Sequence, residues 1–282
     1  MQFFKLSGAG NDFLALVEPE APPTAIEIAA WCRRGLSVGA DGLFVLARRA
    51  GGAVGMDYYN ADGLPAALCL NGTRCAARLA LELGWQQDRV RIVTGAGEVL
   101  AERVAGSADD IALDAPLPAE HPIRERLEFA LATGGRRVVE GHRVTIGVPH
   151  FVIAAQEGLS AAPVAELGPP VRHHPAFSPA GTNVHFVSYR DGGFDIRSWE
   201  RGVEAETLAC GSGVLAATAV GLALGRSKLP VTAHTRGGFL LRVEGTTSGD
   251  RPDRWRLTGE ARLVARGELL PGAIASAVET RW

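Results

Sequence analysis

The sequence has little of what would indicate a polyanionic partner. Its 282 residues include 29 Lys and Arg against 31 Asp and Glu, a formal net charge of −2, and only 6% are aromatic. Without a basic excess there is no electrostatic surface for a nucleic acid or an anionic membrane. These observations disfavour nucleic-acid-binding proteins and membrane-surface proteins as classes.

Long apolar runs are also missing. The longest, from Val214 to Gly225, contains Thr218 and is well short of the roughly twenty residues that span a bilayer. Near the start, Asn11 and Asp12 interrupt the chain before the apolar region of a signal peptide could develop. We therefore expect a cytoplasmic protein.

Cysteine is scarce, which favours a reducing compartment over a disulfide framework. The four cysteines are Cys32, Cys69, Cys75 and Cys210. Cys32 and Cys75 are interpreted as small buried side chains. The spacing of Cys69 and Cys75 does not suit zinc, and no His or Cys is close to Cys210 in the sequence, so we expect no metal.

Glycine, by contrast, is abundant, with 35 residues, and this many glycines cost stability unless the backbone requires them. Several of them mark the ends of elements. Thr24 and Glu27 form a capping-box pair that begins a helix, and Gly35 is its stop signal. The β-rich segments Val90–Val104 and Val231–Val243 each break at glycines and predict hairpins.

The length predicts two domains of ordinary size. Prolines in the segment 114–126 indicate a connection between them. We expect one domain over 1–116, to which 270–282 returns, and a second over 117–269. The Pro- and Ala-rich segment 158–180 is predicted to be a surface excursion.

An internal repeat links the two halves. Aligning Cys69 with Cys210 without a gap gives ten identities in 32 positions. The matched pairs are Cys69/Cys210, Gly72/Gly213, Ala76/Ala217, Leu81/Leu222, Leu83/Leu224, Gly84/Gly225, Val90/Val231, Thr94/Thr235, Gly97/Gly238 and Leu100/Leu241. A weaker echo pairs Ala9-Gly10-Asn11 with Ala180-Gly181-Thr182-Asn183. The halves are therefore predicted to be copies of one fold.

The repeated cysteines each precede a glycine-bearing turn that leads into a helix. Free N–H groups and the dipole at a helix start favour an anion, so a thiol there is acidified and a carboxylate can bind beside it. If the two domains face one another, Cys69 and Cys210 form the acid and base of a racemase, which needs one group on each face of a stereocentre. A reversible redox disulfide between them is the alternative.

Seven short motifs are spread in order over nearly the whole chain: Gly8-Ala9-Gly10-Asn11-Asp12-Phe13, Gly39-Ala40-Asp41-Gly42, Asn60-Ala61-Asp62-Gly63, Cys69-Leu70-Asn71-Gly72-Thr73-Arg74-Cys75, Gly181-Thr182-Asn183-Val184, Glu200-Arg201-Gly202 and Glu206-Thr207-Leu208-Ala209-Cys210-Gly211-Ser212-Gly213. Together they strongly resemble the diaminopimelate epimerase family. The resemblance implies an α/β (α+β) fold of two pseudo-symmetric domains, each a curved, mostly antiparallel sheet or barrel around a central helix. It places the active site in the cleft between them.

The resemblance also implies a homodimeric isomerase without a cofactor, acting on a small amino-acid substrate. Its acid and base are Cys69 and Cys210, and His150 and Glu200 tune the two thiols. Arg201 suits a two-pronged grip on a distal carboxylate. The full set of substrate-binding positions that it implies is Asn11, Asn60, Leu70, Asn71, Asn183, Glu200, Arg201, Gly211 and Ser212.

Three departures from the family pattern bear on the substrate. Leu70 stands where the family has glycine, and it would be strained if that position needs a positive φ. Val148 stands where the family has the asparagine that binds the far end of diaminopimelate, and it cannot replace the lost hydrogen bonds. One extra residue lies between Arg201 and Glu206, and we expect a loop to absorb it.

Three hypotheses follow. The first is an epimerase that interconverts LL- and meso-diaminopimelate in lysine and peptidoglycan precursor synthesis. The second is a racemase of another amino acid, such as histidine or a shorter diamino acid. The third is a redox thiol protein on the same fold. The retention of Asn60, Asn183 and Arg201 favours the first hypothesis.

Overall fold

The computed structural model divides into two compact units. It describes residues 1–131, 134–155, 158–248 and 251–274. The first unit comprises Met1–Ile111 and the chain from Ala261 onward, and the second comprises Ala112–Glu260. Both boundaries fall earlier than the predicted ones after 116 and 269. The second differs because Arg262–Glu268 forms a strand that pairs with the first strand of the chain. Residues 275–282 of the predicted return lie outside the described residues.

The described part of the chain contains eighteen strands and four α-helices. The strands are β1 Gln2–Gly8, β2 Asn11–Val17, β3 Gly42–Arg48, β4 Val54–Asn60, β5 Pro65–Ala66, β6 Arg89–Thr94, β7 Gly97–Arg103, β8 Asp110–Ala115, β9 Ile123–Ala130, β10 Arg136–Ile146, β11 Val148–Ala154, β12 Asn183–Arg190, β13 Gly193–Glu200, β14 Ala205–Thr207, β15 Val231–Thr235, β16 Leu240–Ser248, β17 Arg251–Glu260 and β18 Arg262–Glu268. The α-helices are α1 Ala25–Cys32, α2 Leu70–Glu82, α3 Val164–Arg172 and α4 Gly211–Ala223. Among the described residues no helix has the length and apolar character needed to cross a membrane.

In the first unit the strands wrap around helix α2. Strand β1 pairs antiparallel with β18 and β2, β2 pairs parallel with β3, and β3 pairs antiparallel with β4. β4 then pairs antiparallel with β5 and parallel with β6, which pairs antiparallel with β7. Helix α2 contacts seven of these strands. Almost all of its side chains are buried, because strands surround the helix.

The second unit repeats this pairing order around helix α4. Strand β10 pairs antiparallel with β9 and β11, β11 pairs parallel with β12, and β12 pairs antiparallel with β13. β13 pairs antiparallel with β14 and parallel with β15, which pairs antiparallel with β16. The directions match those of the first unit strand by strand. The structure thus confirms the fold class and the predicted repeat.

The register of the strand pairings shows which residues occupy equivalent positions in the two units. Phe13 on β2 lies opposite Gly42 on β3, and His150 on β11 lies opposite Asn183 on β12. Following the pairings across each sheet gives these counterparts in the first and second units: Asn11 and Val148, Phe44 and His185, Tyr58 and Ser198, Asn60 and Glu200, Ala66 and Thr207, and Cys69 and Cys210.

The predicted echo between Ala9–Asn11 and Ala180–Asn183 is wrong in its register. The counterpart of Asn11 is Val148, and that of Asn183 is Gly42. Short glycine-containing turns match one another easily in sequence, because many turns need the same residues.

Local predictions mostly agree with the structure. The capping box of Thr24 and Glu27 begins helix α1, although the helix ends at Cys32, before Gly35. Both predicted hairpins are present, as β6–β7 and β15–β16. The connection is shorter than predicted, because β9 begins at Ile123, and it lies inside the second unit.

The segment 158–180 is not only a surface excursion, because it contains helix α3. This helix is the counterpart of α1, and its Val164 and Val171 are buried in the core. Gly168 lets the helix approach the sheet, since a Cβ there would lie 2.7 Å from the ring of Trp199. Two prolines inside the helix hid it from the sequence pattern.

A close approach at Gly8 fixes the start of helix α2 against strand β1. A Cβ at this position would lie 2.7 Å from the carbonyl oxygen of Asn71 and 2.8 Å from Sγ of Cys75. Because the first contact is with backbone, the helix itself would have to move. The absence of a side chain at Gly8 therefore allows the start of α2, which Cys69 caps, to pack against β1.

We predict that Gly8→Ala destabilises the protein by about 1–3 kcal/mol, as overpacking of a well-filled site does. Gly272→Ala is the matched control, because nothing lies within 4 Å of a Cβ there, and it should change stability by less than about 0.5 kcal/mol. Urea unfolding of both variants measures this. Equal midpoints for the two variants would contradict the packing argument.

Candidate active site

Cys69 is the N-cap of helix α2 and is only partly buried. Its Sγ accepts a hydrogen bond from the backbone N–H of Gly72 at 3.4 Å, while the N–H of Thr73 bonds to its carbonyl at 2.7 Å. The first N–H groups of a helix have no partner within the helix. Leu70 and Asn71, whose backbone N–H groups are predicted to bind a carboxylate, are the first two residues of α2.

A chain of amides fixes this helix start. The side chain of Asn71 is buried, donates to Oδ1 of Asn11 at 2.6 Å and accepts from the guanidinium of Arg74 at 2.7 Å. Asn11 in turn donates to Asp41 at 3.1 Å. Two of the predicted substrate-binding residues therefore bind each other through their side chains.

Four charged residues anchor the amide chain at its outer end. Arg34 bridges Asp12 and Asp41, and Lys5 lies 2.6 Å from Asp12. The hydrogen bonds and charges of Arg34 and Lys5 outweigh the desolvation of Asp12 and lower its pKa. The Asp12 carboxylate therefore stays ionised near neutral pH.

Cys210 is the N-cap of helix α4 and, unlike Cys69, is buried. Burial raises the pKa of its thiol well above the usual range, and the charge and hydrogen bond of Glu200 raise it further. The N–H of Gly213 and the hydroxyl of Ser212, 3.7 Å from Sγ, act in the opposite direction without cancelling the effect. Cys210 is therefore held as a neutral thiol.

Glu200 is itself held by a hydroxyl that the sequence reasoning missed. Thr207 on β14 donates a short hydrogen bond to the Glu200 carboxylate, which lies next to Cys210. Thr207 lies directly opposite Ser198, so both side chains are on the same face of the sheet as Glu200. The only signal for Thr207 in the sequence is its position three residues before Cys210. Its nearness to Glu200 depends on the pairing of β13 with β14.

His150 lies on the same inner face, in a buried hydrogen-bonded row. Its Nδ1 is 2.8 Å from Nε2 of His185, and Nδ1 of His185 is 2.8 Å from Oγ of Ser198. Burial lowers the pKa of His150 to about 3 and also lowers that of His185. The predicted tuning residue is thus a neutral imidazole. Sequence reasoning missed His185 and Ser198.

The remaining predicted contacts occupy the ends of strands β4, β12 and β13. Asn60 ends β4, at the position that Glu200 occupies in the second unit. Oδ1 of Asn183 accepts the backbone N–H of Arg201 at 2.8 Å, and Arg201 reaches the carbonyl of Ala180 at 3.4 Å. Burial, together with the nearby Arg172, lowers the pKa of Arg201.

Two of the three sequence departures have a simple structural resolution. Neither Leu70 nor its counterpart Gly211 has a positive φ, so the leucine is not strained and its N–H is retained. The extra residue lies in the turn between β13 and β14, which is one residue longer than the turn between β4 and Leu64. Glu204, the last residue of this turn, adopts a left-handed backbone conformation with a φ of 55°.

Across the ranges that the structure describes, all four cysteines are free thiols. No group of three or more His, Cys, Asp or Glu side chains in those ranges is arranged to hold a metal ion. What each unit offers is a thiol at a helix start with N–H donors beside it, an arrangement that can bind a carboxylate and transfer a proton.

Solved structures with the same fold include racemases and epimerases. A protein described as a predicted epimerase from Pseudomonas aeruginosa superimposes with a TM-score of 0.71 at 17% identity, covering 95% of this chain and 99% of that one. A probable proline racemase from Agrobacterium radiobacter gives 0.68 at 17% identity, with 97% and 95% covered. These likenesses show the fold, which in this chain carries a cysteine at the start of the central helix of each unit.

The sequence comparisons are more specific. The model of the family described as diaminopimelate epimerase matches residues 3–109 and 143–264. The diaminopimelate epimerase of Gemmatimonas aurantiaca is 38% identical over 293 residues, covering 95% of this chain and 99% of the relative. That of Aquifex aeolicus is 34% identical over 284 residues, with 95% and 98% covered. The chain belongs to the diaminopimelate epimerase family.

The two neutral histidines make stability depend on pH. Unfolded histidines titrate near pH 6.5, whereas His150 and His185 resist protonation in the folded chain. Below pH 6.5 the unfolded state therefore binds more protons, and stability should fall by up to about 1.4 kcal/mol per pH unit for each histidine. The contribution is complete above pH 6.5 and is lost as the pH falls toward the folded-state values.

Urea unfolding at pH 7.5, 6.5 and 5.5 measures this slope. The double variant His150→Phe/His185→Phe carries the side chains found at the equivalent positions of the first unit, and it should flatten the slope over that range. The exposed His234→Phe is the control and should leave it unchanged. An equally steep slope in the double variant would show that other groups cause the pH dependence.

Proposed function

We propose that this chain is a diaminopimelate epimerase that inverts one α-carbon by proton transfer between Cys69 and Cys210. The observation that carries the proposal is the pair of equivalent helix-start cysteines. Each lies at the N-cap of the central helix of its unit, with N–H donors for a carboxylate beside it. The substrate, LL- or meso-diaminopimelate, is inferred from the family and from the relatives in it.

In the proposed reaction the thiolate of one cysteine removes the α-proton, so that an S–H bond forms as the C–H bond breaks. The electron pair is delocalised into the adjacent carboxylate, whose developing charge the helix-start N–H groups stabilise. The other thiol then delivers its proton to the opposite face of the same carbon. The thiol and thiolate have exchanged places, and the reverse reaction restores them.

The environments of the two cysteines support unequal resting states. Cys210 is buried beside the Glu200 carboxylate, which disfavours a second negative charge. At the equivalent position beside Cys69 the first unit has Asn60, an uncharged amide. We infer that Cys210 is the thiol and Cys69 the thiolate of the resting pair.

Substrate binding is assigned to both units. We propose that the N–H groups of Leu70, Asn71, Gly211 and Ser212 hold the reacting carboxylate. Asn11, Asn60, Asn183 and Glu200 then contact the rest of the amino acid, and Arg201 grips the distal carboxylate. These roles, homodimerisation and a cytoplasmic location rest on the family resemblance.

A proton-exchange experiment tests the function. Reduced protein incubated with LL-diaminopimelate in D₂O should remove the α-proton signal in the NMR spectrum and produce the meso isomer. Cys69→Ser and Cys210→Ser should each lower the rate of epimerisation by at least about a hundredfold, because each removes one acid–base group. Cys32→Ala, outside the site, is the control and should retain full activity.

The same experiment separates the alternatives. Exchange with another amino acid but not with diaminopimelate would replace the substrate and keep the chemistry. No exchange with any amino acid, together with a reversible disulfide between Cys69 and Cys210, would establish a redox protein. Full turnover by either serine variant would refute the two-thiol assignment.

Alkylation should distinguish the two thiols in the resting protein. We expect iodoacetamide at pH 7 to modify Cys69 well before Cys210, because only thiolates react and burial with Glu200 keeps Cys210 protonated. Peptide mass spectrometry measures the order of labelling. Glu200→Gln should move the labelling of Cys210 to lower pH, and the exposed Glu98→Gln should not. Faster labelling of Cys210 in the native protein would reverse the inferred resting states.

A further inference from the structure

The amide chain at the start of helix α2 runs without a break from a partly exposed carboxylate into the core of the first unit. The side chain of Asn11 donates to Oδ2 of Asp41 at 3.1 Å and accepts from Asn71 at 2.6 Å. Asn71 in turn accepts from the guanidinium of Arg74 at 2.7 Å. Asn71 is 3% exposed and Arg74 is fully buried, so the inner end of the amide chain is shielded from water.

The two ends of the amide chain determine the direction of both amides. A carboxylate only accepts hydrogen bonds, and a guanidinium only donates them. Asn11 therefore turns its Nδ2 toward Asp41. Asn71 turns its Oδ1 toward Arg74, and its Nδ2 then meets the amide oxygen of Asn11. Rotating both amides would put oxygen against oxygen at the outer end and N–H against N–H at the inner end.

Asp41 is itself held at several points. Its backbone N–H donates to the carbonyl of Asp12 at 2.9 Å, and its Oδ2 accepts the backbone N–H of Asp12 at 3.2 Å. Its Oδ1 accepts from the guanidinium of Arg34 at 2.8 Å. The carboxylate therefore has a fixed place beside Asn11, and it is the group that directs the outer amide.

The fold itself does not require this amide chain, because the second unit has other side chains at the equivalent positions. The counterparts of Asp41, Asn11, Asn71 and Arg74 are, in that order, Thr182, Val148, Ser212 and Leu215. Leu215 is fully buried, as Arg74 is, so an apolar side chain fills that place in the same architecture. Since buried polar groups are costly unless they are bonded, their use in the first unit points to a task in the site.

Asparagine occurs in this sequence solely at proposed substrate-binding positions. The four asparagines of the chain are Asn11, Asn60, Asn71 and Asn183. Among the described residues, the partly exposed side chain of Asn11 makes the two bonds of the amide chain and no others. One amide hydrogen and one lone pair of Asn11 therefore remain for a ligand.

We propose that Asp41 is a positioning residue for substrate binding, which holds the amide of Asn11 so that its remaining hydrogen and lone pair face the substrate. This inference rests on the proposed function, because Asn11 is assigned there to the substrate. It also separates the tasks of the two amides. Asn71 contributes its backbone N–H, since its side chain is buried and bonded to Asn11 and Arg74.

The direction of the amides can be tested without substrate. Protein labelled with side-chain ¹⁵N-asparagine gives four amide signals. Asn11→Asp, Asn60→Asp and Asn183→Asp assign three of them, and the fourth belongs to Asn71. In Asp41→Ala we expect the signals of Asn11 and Asn71 to shift and their hydrogens to exchange faster with water, because Asn11 has lost its acceptor. Asn183, in the second unit, is the internal reference.

Glu18→Ala is the matched control for the loss of a carboxylate. Glu18 follows the other end of β2 and accepts the backbone N–H of Arg48 at 3.1 Å and its guanidinium at 2.7 Å. These are the kinds of bond that Asp41 accepts from Asp12 and Arg34. Glu18→Ala should leave all four amide signals and the kinetic constants as they are in the native protein.

Kinetics should follow the amide spectra. In Asp41→Ala we expect KM for diaminopimelate to rise about tenfold, because a misplaced binding group loses its contact. kcat should stay within about threefold, since substrate and transition state lose the same contact. Asp41→Asn should keep KM within about threefold of the native value, because its amide oxygen can accept from both Asn11 and the N–H of Asp12. Arg34 then retains its bond to Asp12.

A double-mutant cycle tests whether Asp41 acts through Asn11. In the Asn11→Ala background, Asp41→Ala should raise KM by less than about twofold more, because the amide that it directs is absent. A further tenfold rise would show that Asp41 acts by another route and would overturn the proposal. Unshifted amide signals in Asp41→Ala would overturn it too, as would a native KM in a variant that has only lost stability.

If Asp41→Ala does not fold, Asp41→Ser replaces it in every measurement, because its side chain is polar but too short to hold Asn11. The spectra need no turnover. If diaminopimelate is not a substrate, the proposed function fails while the spectra still show whether Asp41 directs both amides. Shifted spectra with native KM in an active enzyme would instead keep the function and refute the positioning role.

Discussion

Both half-sites depend on one constraint, the burial of a helix start inside a sheet. A helix that begins among strands cannot satisfy its first N–H groups with water, so those groups remain available for a ligand. The approach has to be close, and the residues around it reflect this. Gly8 admits the backbone of α2, and Gly213 admits the ring of His185 beside α4. The thiols at the two N-caps are placed by this packing.

The repeat supplies two equal scaffolds, and the side chains facing each helix make them unequal. The first unit presents amides and an aromatic cluster, including Asn60 and Phe13. The second presents a carboxylate and an imidazole row, with Glu200 and His150 at the equivalent positions. The proposed two-base reaction needs this inequality, because one sulfur must hold a proton while the other lacks it. The repeated fold provides the geometry, and the side chains on the inner face of the second unit keep Cys210 protonated.

The sequence was sufficient to predict the repeat, the paired cysteines, the first helix and both hairpins, because each has a local pattern. It was not sufficient for His185, Ser198 and Thr207, whose importance arises from register between strands distant in the chain. A single residue of shift would place any of them on the opposite face. Helix α3 was missed because its prolines imitate a loop, and β18 because its partner is at the other end of the chain.

The departures from the family pattern differ in weight, because they fall on different kinds of contact. At Leu70 the proposed contact is made by a backbone N–H, and with an ordinary φ a leucine supplies that donor as well as a glycine does. At Val148 the family relies on a side-chain amide, which valine lacks. The proposed recognition of the reacting carboxylate by backbone N–H groups therefore tolerates substitution, whereas the proposed recognition of the distal end requires a particular side chain. In the proposed binding mode the distal carboxylate is therefore left to Arg201, which directly follows β13.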